Sequence, residues 1–590
     1  MLKFENSNMG EVFMKYDKKE IKESLIKAMF ECSKRGLLQS MKWLGELSSS
    51  LGDIPVDCSN QATAGLPQFG TSECDTYYLA KCYFDLKEYD RCAYFTKKSN
   101  LPYSKFLHYF SKYLSYEKKK LDNMSESSQS PDPKLQQHLF TLYTKLKSEY
   151  CANSLDGYGL YLYGVVLKKL DLGKDALTVL VEAVHKEPMH WGGWMELEPL
   201  ITDSTKLKSL SLPDHWMTQL FTAHALLEQQ LTDRALEIYA ELEAVYFPNN
   251  PYIISQIAVG YHNKRDVVTA IETFSKLNKQ DPYRLDNLDT FSNLLYVKGL
   301  RTELSYLAHH AAEVDKYRIE TCCIIGNYYS LRADHHKSVL YFQRALKLNP
   351  QYLSAWTLMG HEFMEMKNTN AAIQSYRQAI EVNRRDYRAW YGLGQTYEII
   401  RMYFFSLYYY KQAQQLRPND SRMLIALGEA YDKLDKVKEA IKCFARARSL
   451  GDAEGIAILQ LGKLYEKLGD VEQAVKVLKV YVTENESSAN DECFSAGLSY
   501  AYKYLANYYM KNSQLDNAYI FAQKCLNHEE TKEEGKALLK TIAQKRGQED
   551  EGEMQIVEGD EGNESFERFR AKLADVTPMY LSFTPPDNQS

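Results

Sequence analysis

The sequence predicts an all-α fold, a superhelical solenoid built from repeated pairs of helices. The first observation is a glycine that recurs every 34 residues, at Gly326, Gly360, Gly394, Gly428 and Gly462. The second is an aromatic residue three positions after each glycine, at Tyr329, Phe363, Tyr397, Tyr431 and Tyr465. The third is an alanine with the same spacing, at Ala345, Ala379, Ala413 and Ala447. Self-similarity at one fixed period of this length is the signature of a stacked-repeat protein.

The 34-residue unit has the pattern of the tetratricopeptide repeat, in which each unit folds into two antiparallel helices. The glycine, eighth in the unit, lets the second helix approach the first closely, and the aromatic residue at position eleven fills the space between them. The alanine at position 27 allows tight packing on the next unit. Pro350 and Pro418 end the second helix, because proline has no N–H to continue the hydrogen-bond ladder.

The repeat phase divides the chain into regions. These are a helical, repeat-like N-terminal region over 1–150 with a disordered linker at 117–135, middle repeats over 151–250 with an irregular connection near 201–215, seven in-phase repeats over 251–488, a last repeat and capping helix over 489–545, and an acidic disordered tail over 546–590. The linker is expected because a lysine cluster runs into polar Ser/Pro sequence. The tail is expected because it offers too little apolar surface to offset the entropy of ordering.

The composition argues against nucleic-acid and membrane partners. The 590 residues carry 78 acidic and 72 basic side chains, a formal net charge of −6, which gives no attraction to nucleic acid. No apolar run reaches the roughly 18 residues of a membrane span, and no secretory signal begins the sequence. The eleven cysteines are scattered over repeat positions, as expected for reduced thiols. These features predict a protein of the nucleus and cytoplasm.

No catalytic or metal-binding motif is complete. The segment from His361 to Glu365 begins like a zinc-protease helix, but Glu365 stands where a second histidine is required. Cys322 and Cys323 would point apart on a helix, and no second pair follows at zinc-finger spacing. No GxxxxGK[ST] phosphate loop occurs. The sequence therefore predicts no catalytic residue, no metal and no cofactor.

The first helix of each unit predicts the surface that would bind a partner. These helices line the concave wall of a repeat superhelix, and helical spacing turns positions 2, 5, 9, 12 and 13 toward it. In the five units that begin between 285 and 421, the acidic wall residues are Asp286, Asp289, Glu320, Glu365, Glu398, Glu429 and Asp432, and the basic ones are Arg388, Arg422 and Lys433. An acidic wall with the amides of Asn293, Asn327 and Gln395 suits an extended peptide that contains arginine. The competing interpretation is a set of solvated helix faces without a ligand.

Two other classes of protein compete with this interpretation. A chaperone adaptor that clamps a carboxylate would need lysine and asparagine at set wall positions. Asn327 and Arg388 could serve, but Cys323 and Leu358 stand at the other positions. An enzyme with a helical regulatory array would need a catalytic domain, and the residues outside the repeats leave no room for one.

Several segments resemble one family, including positions where the repeats depart from their consensus. The segments are 155–172, 280–297, 322–350, 356–383 and 385–399. They are similar to subunit eight of the anaphase-promoting complex, the family also called cell-division-cycle protein twenty-three, and the resemblance extends over about residues 20–545. It implies a non-catalytic scaffold subunit of a cell-cycle ubiquitin ligase active in mitosis. It also implies a homodimer through the N-terminal repeats and assembly with other tetratricopeptide subunits.

The same resemblance implies a ligand for the groove over 251–488: the C box of a coactivator, a short motif that contains arginine. Asn327, Glu365 and Gln395 are the positions best matched to this role. The full set of candidate groove residues is Asn293, Asn327, His361, Glu365, Arg388, Tyr391, Gln395 and Glu398. A stand-alone adaptor for chaperone or trafficking complexes is the alternative function.

Overall fold

The computed structural model of the protein is helical throughout the residues that it describes. These are residues 17–52, 54, 72–99, 101–126, 133–201, 204–229, 231–452, 455–485 and 492–557. No strand occurs within these ranges. The all-α repeat fold predicted from the sequence is confirmed. The chain forms two compact units, Met1–Asn383 and Arg384–Ser590.

The first unit begins with helices of varied length and continues into regular pairs. The N-terminal and middle helices are α1 (Lys18–Lys34), α2 (Leu38–Ser50), α3 (Ser72–Asp85), α4 (Tyr89–Thr96), α5 (Pro102–Glu126), α6 (Pro133–Cys151), α7 (Gly157–Lys169), α8 (Gly173–Lys186), α9 (Trp191–Leu197), α10 (Ser204–Ser209), α11 (Met217–Glu228) and α12 (Thr232–Val245). The regular helices are α13 (Pro251–Lys264), α14 (Val267–Gln280), α15 (Leu288–Lys298), α16 (Arg301–Val314), α17 (Ile319–Leu331), α18 (His335–Leu348), α19 (Leu353–Glu365) and α20 (Thr369–Val382). Near the connection expected at 201–215, a 3₁₀ turn at Glu198–Leu200 precedes the short helix α10.

The second unit continues the same phase and ends in a longer helix. Its helices are α21 (Tyr387–Ile399), α22 (Tyr403–Leu416), α23 (Ser421–Lys433), α24 (Val437–Ser449), α25 (Ile456–Leu468), α26 (Val471–Asn485), α27 (Glu492–Lys511), α28 (Leu515–Cys525) and α29 (Lys532–Val557). A 3₁₀ turn at Glu529–Thr531 leads into α29.

Four of the five repeated glycines receive an aromatic ring from the second helix of their own pair, and Gly462 receives the side chain of Leu478 instead. A Cβ added to Gly360 would lie 2.5 Å from a ring carbon of Tyr376, and one added to Gly394 would lie 2.4 Å from the ring of Tyr410. Phe342 and Phe444 occupy the same place above their glycines. The rings are fully buried, so they cannot move aside. The glycine spacing therefore marks the closest approach of the two helices in each pair.

The turn between the two helices of a pair contains a left-handed residue that also recurs every 34 residues. The residues are Arg265, Gly299, Ala333, Lys367, Arg401, Asp435 and Gly469, with φ between 56° and 78°. The next backbone N–H returns to the carbonyl of the aromatic residue at position eleven, as in Asp334 to Tyr329 at 3.0 Å. For a residue that has a side chain, the left-handed conformation is less favourable than the right-handed one by about 1 kcal/mol. This turn is held by the helix geometry rather than by glycine.

The N-terminal hairpin α1–α2 packs on repeats far along the chain. The indole rings of Trp43 and Trp191 stack with centroids 4.2 Å apart. The side-chain amide of Asn250 donates to the carbonyl of Glu46 at 3.0 Å while its oxygen caps α13. One hydrophobic core runs from Ile21 to Ile253. The boundary expected at residue 150 therefore falls inside a continuous core.

Ion pairs complete the attachment of this hairpin. Arg35 donates to Asp156 at 3.0 Å, and its guanidinium lies 4.1 Å from the ring centroid of Tyr158. Lys42 pairs with Asp286 at 2.6 Å. Because Arg35 is buried, its charge requires the carboxylate partners that it finds here.

The disorder expected at 117–135 is wrong for most of that segment. Helix α5 runs through 117–126, and α6 begins at Pro133, a residue type favoured in the first turn of a helix. Polar contacts attach this part of α5 to α4, because Ser115 and Lys119 both donate to the carboxylate of Asp90, at 2.7 and 3.0 Å. The lysines are the solvated face of an amphipathic helix. Residues 127–132 lie outside the described residues.

The disorder expected from residue 546 is wrong for residues 546–557. Helix α29 continues to Val557, because Glu, Gln, Met and Lys are strong helix formers whatever their charge. Residues 558–590 lie outside the described residues. Within the described helices, none is long and apolar enough to cross a membrane.

Candidate functional site

The predicted wall residues lie on the first helices of successive pairs, where spacing of three and four residues brings them to one face. The first unit carries Asn293, Asn327, His361 and Glu365, and the second unit carries Arg388, Tyr391, Gln395 and Glu398. Each group is described within its own unit.

Asn327 is a structural link between helices α15 and α17. It is 3% exposed. Its side-chain amide donates to the hydroxyl of Ser292 at 2.8 Å and to the side-chain oxygen of Asn293 at 2.7 Å. Both amide protons are therefore used within the chain. Asn327 and Asn293 lie within hydrogen-bond distance of each other and pair with each other.

Three acidic wall residues of the first unit already have polar partners within the chain. Asp286 pairs with Lys42 and with Arg318, and Glu320 accepts from Arg318 at 2.9 Å. Burial would raise the pKa of Asp286, but these cations outweigh it and hold the pKa below its usual value. Asp289 is buried and accepts from the hydroxyl of Tyr352 at 2.7 Å. None of the three presents a bare charge to a ligand.

Glu365 differs from these residues because it is exposed at the end of α19. Within the described part of the chain it makes no ion pair. One turn earlier, Glu362 is buried and lies 2.9 Å from the His335 ring, so it is an internal group. His361, directly before Glu362, shares a hydrogen bond of 2.9 Å with the hydroxyl of Tyr376. Glu365 is thus the carboxylate of this helix that is open to an incoming cation.

In the second unit, Arg388 is balanced by the cap of its own helix. Asp386 accepts from the Arg388 backbone N–H at 3.1 Å and from its guanidinium at 3.0 Å. Tyr391 packs on Tyr410 with ring centroids 5.4 Å apart, and burial raises its pKa. Gln395 is exposed. Of these three, Gln395 is the one with its polar group turned to solvent.

Glu398 and Glu429 form a carboxylate cluster on neighbouring first helices. Glu398 accepts from the hydroxyl of Tyr410 at 2.6 Å and pairs with Lys433. Burial and then the charge of Glu398 raise the pKa of Glu429. Within the described residues Glu429 makes no ion pair. A cation beside Glu429 would relieve this repulsion.

Glu429 is one of the seven acidic wall residues but not one of the eight candidate groove residues, although its position in the repeat indicates the same role. It lies 34 residues after Gln395, at position nine of its unit, the position that Asn293, Asn327, His361 and Gln395 share. Within the described residues, two wall carboxylates make neither an ion pair nor a side-chain hydrogen bond: Glu365 in the first unit, which is exposed, and Glu429 in the second, which is half-buried. Both could bind a guanidinium or ammonium group. No cluster of three metal-ligating side chains occurs among the described residues.

Comparison with known proteins now bears on the identity of the chain. The family model described as anaphase promoting complex subunit 8 / Cdc23 matches residues 20–258. Tetratricopeptide-repeat models match 319–352, 360–398, 421–450 and 457–488. The anaphase-promoting complex subunit 8 of Dictyostelium discoideum is 39% identical over 413 residues, which are 60% of this chain and 69% of that protein. The chain belongs to the anaphase-promoting complex subunit 8/Cdc23 family.

Other relatives agree with this membership. The cell division cycle protein 23 homolog of Mus musculus is 54% identical to this subunit 8 family member over 301 residues. That match spans half of each chain, so the chain spans about half the length of this relative. The crystal structure of the APC/C hetero-tetramer Cut9–Hcn1 contains a chain that superposes with a TM-score of 0.54 at 17% identity, covering 90% of this chain and 98% of that one. The superposition shows a shared solenoid fold.

Proposed function

We propose that this chain is a non-catalytic scaffold subunit of the anaphase-promoting complex, a cell-cycle ubiquitin ligase of the nucleus and cytoplasm. The observation that carries the proposal is the family match over residues 20–258, together with the long identity to a subunit 8 protein. Tetratricopeptide arrays expose long binding surfaces and place few side chains for chemistry, which suits assembly with other tetratricopeptide subunits. A stand-alone adaptor for chaperone or trafficking complexes is the competing function.

Co-purification from cells separates these two functions. The tagged full chain is expected to recover cullin, RING and sister tetratricopeptide subunits in stable proportion, as identified by mass spectrometry. A tetratricopeptide protein of another family, purified in parallel, controls for general binding. Recovery of chaperones alone, with no ligase subunit, would contradict the scaffold proposal.

We further propose that the carboxylates of Glu365 and Glu429 bind an arginine of a coactivator C box. Glu365 is exposed and makes no ion pair in the described chain, whereas its acidic neighbours Asp286 and Glu320 are already paired. A guanidinium can donate two parallel hydrogen bonds to such a carboxylate, and charge-assisted bonds of this kind are strong and directional. Glu429 offers the same chemistry in the second unit. The exposed amide of Gln395 could bind the backbone of an extended peptide.

Reversing the charge of Glu365 tests this binding role. Glu365→Lys is expected to weaken binding of an arginine-containing C-box peptide by roughly three- to tenfold, because one charge-assisted contact is replaced by repulsion in a solvated setting. Fluorescence anisotropy with the purified full chain measures the affinity. Glu381→Lys makes the same charge change at an exposed position of the second helix and should leave the affinity unchanged. Equal affinity for both variants would mean that Glu365 is only a solvated surface residue.

The homodimer implied by the family is proposed to form through α3 and α4. Leu86 and Tyr94 are 70% and 75% exposed, and Phe95 stacks on Tyr83 with centroids 5.5 Å apart. Large apolar side chains grouped on a surface mark an association site. A second copy is the occupant, because a two-fold interface uses the same patch on both protomers.

Charged substitutions in this patch test the dimer. The double variant Leu86→Asp/Tyr94→Asp is expected to sediment as a monomer at a concentration where the wild-type chain is dimeric, because two carboxylates would be buried unpaired in the interface. Tyr317→Asp, at a residue 76% exposed elsewhere in the first unit, should leave the dimer intact. A dimer that survives the double substitution would overturn the assignment to α3 and α4.

A further inference from the structure

The outer face of α22 carries an exposed aromatic patch, formed by Phe404, Phe405 and Tyr408. These side chains are 72%, 55% and 53% exposed. They lie at positions i, i+1 and i+4 of one helix and so share one face. Three large aromatic residues exposed together mark a surface that is covered by another segment.

The repeat architecture does not require this patch. The positions of Phe404, Phe405 and Tyr408 are taken by Lys438, Glu439 and Lys442 in the following repeat. The preceding repeat has Asn370, Ala371 and Gln374 there. The residues that pack the pair, such as Tyr410 and Ala413, are buried as in the other repeats. The aromatic residues are thus an addition to the outside of a standard helix pair.

A stack of rings supports the patch from behind. Tyr397 stacks on Tyr409 with centroids 5.2 Å apart and planes 5° from parallel. Tyr397 also stacks on Phe405 with centroids 5.5 Å apart, and the ring of Trp390 lies 6.0 Å from that of Tyr409. Rings held in this way lose little conformational freedom when they bind a partner, as is typical of binding hot spots.

A basic strip lies beside the patch on the next second helix, α24. Lys438, Lys442 and Arg446 are exposed and recur every four residues, which places them on one face. None of the three makes an ion pair with another described residue. In the repeat after that, Lys476 occupies the position equivalent to Lys442. The surface therefore changes from basic to aromatic as it runs from α26 to α22.

The chain's own C-terminal segment carries the complementary features in the matching order. After Val557, the residues Glu558, Asp560, Glu561, Glu564 and Glu567 come first, with no cation among 558–567. Three cations, Arg568, Arg570 and Lys572, come next, and the apolar residues Met579, Tyr580, Leu581 and Phe583 follow. A segment that leaves α29 and runs back along the second helices meets the basic strip before the aromatic patch.

The length of the segment is sufficient for this path. The 22 residues 558–579 extend to about 75 Å. Successive second helices of a repeat stack lie about 10 Å apart, and three such steps separate α28 from α22. The 26 residues of α29 add about 39 Å if that helix points away. The extended segment spans both distances together.

We propose that residues 558–583 bind in cis across the outer face of the second unit, with their carboxylates on Lys438, Lys442 and Arg446 and their apolar residues on Phe404, Phe405 and Tyr408. The occupied surface is the outer face of the repeats, so it is separate from the carboxylates Glu365 and Glu429. The segment would cover the aromatic patch in the isolated chain and compete with any protein that binds there.

Photocrosslinking in the full chain tests this contact. A photoreactive phenylalanine analogue is placed at Tyr580, and the crosslinked peptides are mapped by mass spectrometry. Crosslinks to peptides containing 403–411 are expected. In Phe404→Asn/Phe405→Ala, which introduces the residues of the preceding repeat, their yield should fall roughly fivefold or more, as for loss of a hot-spot anchor. Lys438→Glu/Lys442→Glu should lower the yield in the same way. Raising the salt concentration to about 0.5 M shortens the screening length, so it should lower the yield of the wild-type chain but not that of the Lys438→Glu/Lys442→Glu variant.

The matched control is Tyr306→Ser. Tyr306 holds the position of Tyr408 in a repeat of the first unit and is 68% exposed. This variant should leave the yield of crosslinks to 403–411 unchanged. Crosslinks that map away from 403–411, or a yield that none of the patch variants lowers, would overturn the proposal.

Mixing isotopically heavy and light chains shows whether a second copy is the occupant of the patch. In an equal mixture, heavy–light crosslinks at about half of the total, the share that random pairing of two copies gives, would replace binding in cis with association of two chains.

Discussion

The close contact between a glycine of the first helix and a buried side chain of the second, an aromatic ring in four of the repeats, is the constraint on which the helix pairs depend. At Gly394 a Cβ would lie 2.4 Å from the ring of Tyr410, which is 1% exposed and cannot withdraw. The contact sets the distance between the two helices, and the buried Ala413 then sets the distance to the next pair. Because the pairing is fixed, the remaining positions of each first helix are fixed in direction, including those that carry Glu365 and Glu429.

The charge of the predicted wall depends on partners that spacing cannot reveal. Seven acidic and three basic residues describe a strongly acidic surface when formal charges are counted. In the folded chain, Asp286 is paired with Lys42, a residue 244 positions away, and Glu398 is paired with Lys433. An ion pair that is satisfied within the protein offers little attraction to a ligand. The formal count therefore overstates the charge of the wall, where Glu365 and Glu429 are the carboxylates left without an ion pair or a side-chain hydrogen bond among the described residues.

The parts of the fold that follow from local periodicity were predictable, and the parts that follow from long-range packing were not. Gly326 and Ala345 could be recognised because their size is required at every repeat. The left-handed turn residues could not, since Ala333, Lys367 and Arg401 share a backbone conformation but no side-chain type. The stacking of Trp43 on Trp191 and the helical continuation of α5 to Glu126 depend on surfaces that meet only after folding.

The most direct test of this account compares two glycine-to-alanine substitutions by native-state hydrogen exchange. Alanine favours a helix interior by about 1 kcal/mol over glycine, and at Gly45 the added Cβ would have an ordinary contact, 3.6 Å from Met29. Gly45→Ala is therefore expected to raise the opening free energy of α2. Gly394→Ala gains the same helix preference but meets the Tyr410 ring, so α21 and α22 are expected to lose about 1–3 kcal/mol. Equal stabilisation by both substitutions would contradict the claim that the ring-on-glycine contact sets the pairing of the helices.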